Sequence, residues 1–193
     1  YLESIGASWV TSLGRFFLPV VEKLRGGYEL PWLIGSVCLV LIGISAVLIA
    51  ELFEIKGTIP VWITAGILVA NPVVVSTFAY MYTADGYMLG LLFAVLSVYL
   101  CVKWKGVKGV AAGALALTLS LGFYQAFVSV TMLLMLLYLV EDCLNPRRKW
   151  RDIGQAAGRF ALTGALGVMV YVVLLKLVWT VTGSGTTSYM GID

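Results

Sequence analysis

Six long apolar runs separated by short polar connections constrain this chain more than any other feature. A helix crossing the hydrocarbon core of a bilayer takes about 20 apolar residues. The runs are Leu30–Leu52, Ile59–Tyr80, Gly86–Val102, Val107–Leu121, Phe123–Val140 and Phe160–Thr182. They predict an all-α, polytopic transmembrane bundle of about six spans. Composition agrees: 61% of the 193 residues are hydrophobic and 12% are charged, against roughly 25% charged in soluble domains. That balance excludes a soluble globular enzyme and a disordered chain. The net charge of +3 resides mostly in two short basic clusters between spans, so no nucleic-acid partner is expected. The chain has no histidine, which removes a Ser-His-Asp triad, a Cys-His dyad and most zinc sites. Proton transfer is left to Asp, Glu, Lys, Tyr or water. Cys38, Cys101 and Cys143 read as small core residues rather than a disulfide framework.

The connections give an orientation. Lys56, Lys103, Lys105, Lys108, Arg147, Arg148, Lys149, Arg151 and Arg159 fall on one side if the spans alternate, whereas Arg15, Lys23 and Arg25 fall on the other. The positive-inside rule makes the first group cytoplasmic. Both chain ends then face outward. The chain starts at Tyr1 rather than Met and ends soon after an apolar span, so it is expected to be part of a longer protein with at least one further span upstream. Three parts are expected: residues 1–29 as an outer-face juxtamembrane segment, 30–182 as the membrane domain, and 183–193 as the start of an outer loop.

In the first part, Trp9, Leu13, Phe16, Phe17, Val20, Val21 and Leu24 recur at helical spacing, and Ser8, Thr11, Ser12, Arg15 and Glu22 take the other face. The pattern predicts an amphipathic helix over Trp9–Leu24 lying on the outer leaflet, kinked at Pro19. Two spans are irregular. Asn71-Pro72 should break the second, because proline removes a backbone donor and disfavours helical geometry at the residue before it. The continuation, Val73–Tyr80, should be a short re-entrant or surface piece. The fourth run is short and ends in the uncharged turn Gly122-Phe123-Tyr124-Gln125. Broken backbone at membrane depth is tolerated where it is buried or lines a wet cavity. Both irregularities lie on the outer side, which predicts an outward-facing cavity.

Asp85 is the only charged residue between Lys56 and Lys103. Placed just before the third span, it suits a helix N-cap. It equally suits a carboxylate at the cavity mouth, ringed by Tyr80, Tyr82 and Tyr87, whose rings and hydroxyls fit a sugar. The tyrosines also fit an interfacial aromatic belt. Gln125, beside Tyr124, has two donors and an acceptor for a ligand or for a neighbouring helix. Lys176 lies six residues before the end of the last span, where it can snorkel to the interface or hold a lipid phosphate.

Several of these strings, in this order, resemble the bacterial O-antigen-type glucosyltransferases of the type II glucosyl-transferase family. They are Gly14-Arg15-Phe16, Asn71-Pro72, Phe78-x-Tyr80-x-Tyr82-Thr83-Ala84-Asp85, Ser120-Leu121-Gly122-Phe123-Tyr124-Gln125-Ala126 and Ser188-Tyr189-x-Gly191. The resemblance implies a GT-C-like membrane enzyme in the bacterial cytoplasmic (inner) membrane, multi-pass, with its active site outward. It implies a polyprenyl-phosphate-linked sugar donor, with glucose as the hexose, and a cell-surface glycan acceptor such as O-antigen. The principal catalytic carboxylate of such enzymes is expected upstream of Tyr1, with Asp85 as a catalytic carboxylate in the cavity. Substrate binding falls to Arg15, Asn71, Tyr80, Tyr82, Tyr124, Gln125, Lys176 and Tyr189. No cofactor is fixed; a divalent metal or a basic side chain would offset the phosphate charge. The competing reading is a transporter or flippase for lipid-linked sugar, since broken helices also occur in transporters. Polar features confined to one side favour the enzyme.

Overall fold

The computed structural model describes residues 10–26 and 30–183, so Trp9 and Tyr189 lie outside the described residues. Within them the chain is helical, without a strand. The elements are α1 (Leu18–Leu24), α2 (Pro31–Leu52), α3 (Thr58–Val69), α4 (Pro72–Thr77), a 3-10 turn (Phe78–Thr83), α5 (Ala84–Lys103), α6 (Val107–Phe123), a second 3-10 turn (Gln125–Phe127), α7 (Val128–Leu144) and α8 (Trp150–Thr182).

Long-range contacts fix the helix directions. Arg25, just before α2, pairs with Asp85 at the start of α5. Glu51 near the end of α2 pairs with Lys103 at the end of α5 at 2.7 Å. The two helices therefore run parallel, and α3, α4 and the 3-10 turn carry the chain back between them. Helix α6 returns antiparallel to α5, so that Gly122 meets Phe17 near the Asp85 end. Helix α7 descends from there, and α8 ascends from Arg159, which reaches Cys101 O, to Trp179, which reaches Thr11 O. The nine basic residues grouped by sequence thus gather at the end opposite Asp85.

Among the described residues four helical stretches rather than six, Pro31–Leu52, Pro72–Lys103, Gln125–Leu144 and Trp150–Thr182, are long and apolar enough to cross a membrane, whereas Thr58–Val69 and Val107–Phe123 are shorter. Large apolar side chains stand exposed along α2, α3, α7 and α8, among them Leu39, Trp62, Leu136 and Met169. In a water-soluble chain such continuous apolar faces would be covered; their length and composition suit contact with lipid.

The break at Asn71-Pro72 occurs as expected. Asn71 is extended, its Oδ1 accepts the Val73 amide at 2.9 Å, and Pro72 takes the first turn of α4, where its missing N–H costs nothing. The continuation is not one helical piece. It passes from α4 into the 3-10 turn, where Tyr80 leaves helical geometry at φ −111°, ψ 61°.

The interior is held by small residues and hydroxyl-to-backbone bonds rather than by ion pairs. Ser97 Oγ donates to Gly113 O and Ser120 Oγ donates to Gly90 O, both at 2.8 Å, clamping α5 to α6 at two levels. Thr118 Oγ1 donates to Gly167 O at 3.0 Å, joining α6 to α8. Thr131 Oγ1 donates to Ala94 O at 3.2 Å, joining α7 to α5. Close approach makes these bonds possible: a Cβ at Gly113 would lie 2.8 Å from Ser97 O. Lipid is as apolar as leucine, so such contacts replace the hydrophobic drive that joins helices in water.

The first segment differs from expectation. Residues 10–12 are helical, the chain turns at Gly14, and α1 starts only at Leu18. Thr11 and Ser12, expected on a solvent face, are buried, while Leu24, expected on the apolar face, is 82% exposed. Pro19 falls in the first turn of α1 rather than at a kink. The segment folds over the end of the bundle and into it, instead of lying beside it as one helix.

Candidate active site

Gly14 makes the turn that sends this segment inward. Its φ of +81° is one that side chains disfavour. A Cβ there would also lie 2.5 Å from both Gln125 Nε2 and Tyr171 Oη. Those two groups tie the turn down. Gln125 Nε2 donates to Leu13 O at 2.7 Å and to Tyr171 Oη at 2.9 Å, and Tyr171 Oη donates to Gly14 O at 3.2 Å. Phe16 stacks on Tyr171 with centroids 5.9 Å apart, and the Phe17 amide donates to Gly122 O at 3.2 Å. Replacing Gly14 with Ala is expected to lower stability by about 1–3 kcal/mol through forced positive φ alone, with more from the clash. Thermal unfolding of the purified protein checks this, and an unchanged midpoint would mean that the turn is not held as described.

The turn delivers Arg15 to the bundle. Its Nη1 donates to Tyr87 Oη at 3.0 Å, and its guanidinium carbon lies 4.6 Å from the centre of the Tyr124 ring. A guanidinium over an aromatic face is attracted by the ring quadrupole and keeps its edge N–H groups free for an anion. Tyr87 and Tyr124 pack on each other with centroids 5.1 Å apart. Tyr124 is extended, at φ −160°, between the end of α6 and the following 3-10 turn.

Asp85 is second in α5, not its N-cap; Thr83 holds that position and makes no side-chain capping bond. Asp85 is 7% exposed. Its Oδ1 accepts the Gly86 amide at 2.9 Å, and its Oδ2 pairs with Arg25 Nη1 at 2.9 Å. Arg25 Nη2 donates to Tyr82 O at 2.8 Å. A carboxylate in the first turn of a helix also gains from the positive end of the helix dipole. Two buried donors at this end, Arg15 Nε and Arg25 Nε, have no hydrogen-bond partner among the described residues. Buried N–H groups are rarely left so, and each is positive charge available to an oxyanion at this end.

The structure brings Arg15, Tyr87, Tyr124, Gln125 and Tyr171 into one connected cluster and sets Asp85 with Arg25 on the adjoining edge, since Tyr87 lies two residues after Asp85. Tyr80 and Tyr82 lie next to that edge, edge-to-face at 6.5 Å and exposed. Asn71 is engaged in capping α4. Lys176 is not brought to the cluster. It is exposed on α8, about 100° around the helix from its neighbour Leu175, which packs on the Tyr171 side. Depth along a span does not decide which way a side chain faces. At the end where an outward cavity is expected, Val10, Phe17, Leu18 and Val21 pack with Phe123, Tyr124 and Tyr87. Two open cavities lie elsewhere, one at the basic end and one between α7 and α8. Arg25 and Tyr171 were not singled out by sequence. A guanidinium next to the first span and the one phenol in the last span were the available signals. Among the described residues no three His, Cys, Asp or Glu side chains converge as metal ligands. The donor set near Asp85 is cationic and does not fit a divalent ion.

No curated protein and no solved structure matches the chain. The model of one protein family, glucosyl transferase GtrII, matches residues 3–193. A helical bundle with lipid-type faces and a tyrosine- and arginine-lined end, matched over nearly its whole length, belongs to the glucosyl transferase GtrII family and is a glycosyltransferase.

Proposed function

We propose that the chain transfers a hexose, glucose by its family, from a polyprenyl-phosphate carrier to a cell-surface glycan such as O-antigen. Transfer takes place at the Arg15–Asp85 end, on the outer face of the bacterial inner membrane. The observation that carries this reading is a buried carboxylate paired with Arg25 at the same tyrosine-lined bundle end as Arg15, each guanidinium keeping an Nε–H with no hydrogen-bond partner among the described residues. A lipid-phosphate leaving group needs positive charge placed where its negative charge develops, and Arg15 supplies it. The acceptor hydroxyl attacks the anomeric carbon; the carbon–oxygen bond to the phosphate breaks as the new glycosidic bond forms. Each Asp85 oxygen has a second lone pair beyond its present bond, so the carboxylate can accept the hydrogen of the attacking hydroxyl. Arg25 positions that carboxylate. Tyr80 and Tyr82, exposed beside it, offer ring faces and hydroxyls to a sugar.

The basic asymmetry supports the orientation. Nine Lys and Arg side chains lie at the opposite end, against Arg15, Lys23 and Arg25 at this one. A cysteine introduced between Thr83 and Tyr87 is expected to react with an impermeant thiol reagent in intact cells, and one between Asn145 and Arg151 is not. Labelling of the second in intact cells would invert the orientation. The activity itself is tested by supplying membranes containing the protein with polyprenyl-phosphate glucose or a nucleotide-linked glucose. The lipid-linked donor alone is expected to support transfer, and use of the nucleotide donor would refute the reading.

A further inference from the structure

At the basic end a cavity of about 660 Å³ opens between the end of α5, the end of α7 and the first turns of α8. The transfer reading makes no use of it. Lys105, Arg148 and Arg159 line it with Asp142, Asp152 and Gln155. These residues come from four separate parts of the chain: the α5–α6 loop, the end of α7, the α7–α8 turn and α8 itself. Asp142 is 8% exposed and pairs with Arg148 Nε at 3.0 Å. Arg159 is held half-buried by one bond, from Nη1 to Cys101 O at 3.3 Å near the end of α5, and a guanidinium has five N–H groups in all. Three cations against two carboxylates leave one unit of positive charge in the lining. Trp104, just after α5, and Trp150, the first residue of α8, stand exposed at 53% and 83% near the cavity, and exposed tryptophans mark the headgroup level of a membrane protein.

We infer that this cavity binds the headgroup of an anionic phospholipid, a phosphodiester with a hydroxyl-bearing head, at the inner leaflet. A phosphodiester carries the single negative charge that balances the lining. Lys105 and Arg159 face its oxygens, and Asp152 and Gln155 can bond the headgroup hydroxyls. A zwitterionic headgroup brings a quaternary or primary ammonium toward Lys105 and Arg159 and gains nothing. A nucleotide diphosphate brings more negative charge than the lining offsets. Basic pockets between helices on the cytoplasmic side are suited to anionic headgroups.

The test is native mass spectrometry of the purified full chain in detergent. The protein is titrated with phosphatidylglycerol, with phosphatidylcholine, and with phosphatidylglycerol in the presence of millimolar inorganic phosphate. One to two phosphatidylglycerol molecules are expected to be retained in at least about tenfold preference to phosphatidylcholine, without displacement by inorganic phosphate. Lys105→Gln, on an exposed loop where folding is not at issue, is expected to weaken retention about fivefold, and Lys105→Gln with Arg159→Gln to erase the preference. Lys108→Gln, outside the cavity, should leave it intact. Equal retention of the two lipids, or a preference left undiminished in the variant carrying both Lys105→Gln and Arg159→Gln, would overturn the inference. Displacement by inorganic phosphate would instead assign the cavity to a soluble phosphate compound and overturn the lipid. None of these outcomes depends on glucosyl transfer.

Discussion

Replacing Asp85 with Asn is expected to lower glucosyl transfer per protein molecule by about 10²-fold or more, as for loss of a general base or its helper. The same substitution leaves the Arg25 guanidinium buried without its counter-charge, which costs about 3–5 kcal/mol, so accumulation in the membrane should fall as well. The two effects separate in the variant carrying both Arg25→Gln and Asp85→Asn. With neither charge present, the desolvation cost that had to be balanced is gone, and buried pairs removed together are often neutral for stability. Accumulation should return to near the wild-type level while transfer stays at the Asp85→Asn level. If Asp85 served only to neutralise Arg25, transfer would return along with accumulation. Activity measured at matched protein amount, for the single and double variants, decides the matter.

Arg15→Ala is expected to reduce transfer by about 10²- to 10³-fold, the range seen when one preorganised donor to a developing anion is removed. Arg15→Lys keeps the charge. It loses the planar fork that lets one side chain hold Tyr87 Oη, lie over the Tyr124 ring and still present N–H groups. It should retain more activity than Ala and less than wild type, with the loss in kcat rather than in KM for the acceptor. Arg15→Ala gives up the bond to Tyr87 and the contact with the Tyr124 ring, about 1–2 kcal/mol, but the Gln125–Tyr171–Gly14 bonds do not involve the Arg15 side chain, so the loss of thermal stability should be small beside the loss of activity. A matching fall in stability and activity would make Arg15 a structural cross-link between the first segment and the bundle.

What the sequence revealed and what it hid follow from the range of the interactions concerned. The helical class and the apolar runs were readable because membrane spans declare themselves by length and hydropathy. The break at Asn71-Pro72 was readable because proline acts on its immediate neighbours. The first segment was misread because its apolar period continues through Gly14, and periodicity cannot register a single residue at positive φ. The same turn exchanged the expected faces, burying Thr11 and Ser12 and exposing Leu24. The Arg25–Asp85 pair joins residues 60 positions apart, and the Gln125 bond to Leu13 spans 112. No local pattern carries either. Asp85 itself stood out because it is isolated in a long uncharged stretch. Lys176 stood out by its depth in the last span, yet its azimuth on α8 sets it apart from the cluster. Isolation of a charge marks a residue to examine; the helix face on which it falls decides what it touches.

The most direct test of the account is the sidedness of transfer. Right-side-out and inverted membrane vesicles containing the protein would each be given radiolabelled polyprenyl-phosphate glucose in the bilayer and a glycan acceptor outside the vesicle. The account predicts incorporation in the right-side-out vesicles, where the Arg15–Asp85 end meets the acceptor, and about tenfold less or none in the inverted ones. Equal incorporation in both, or incorporation confined to inverted vesicles, would contradict it.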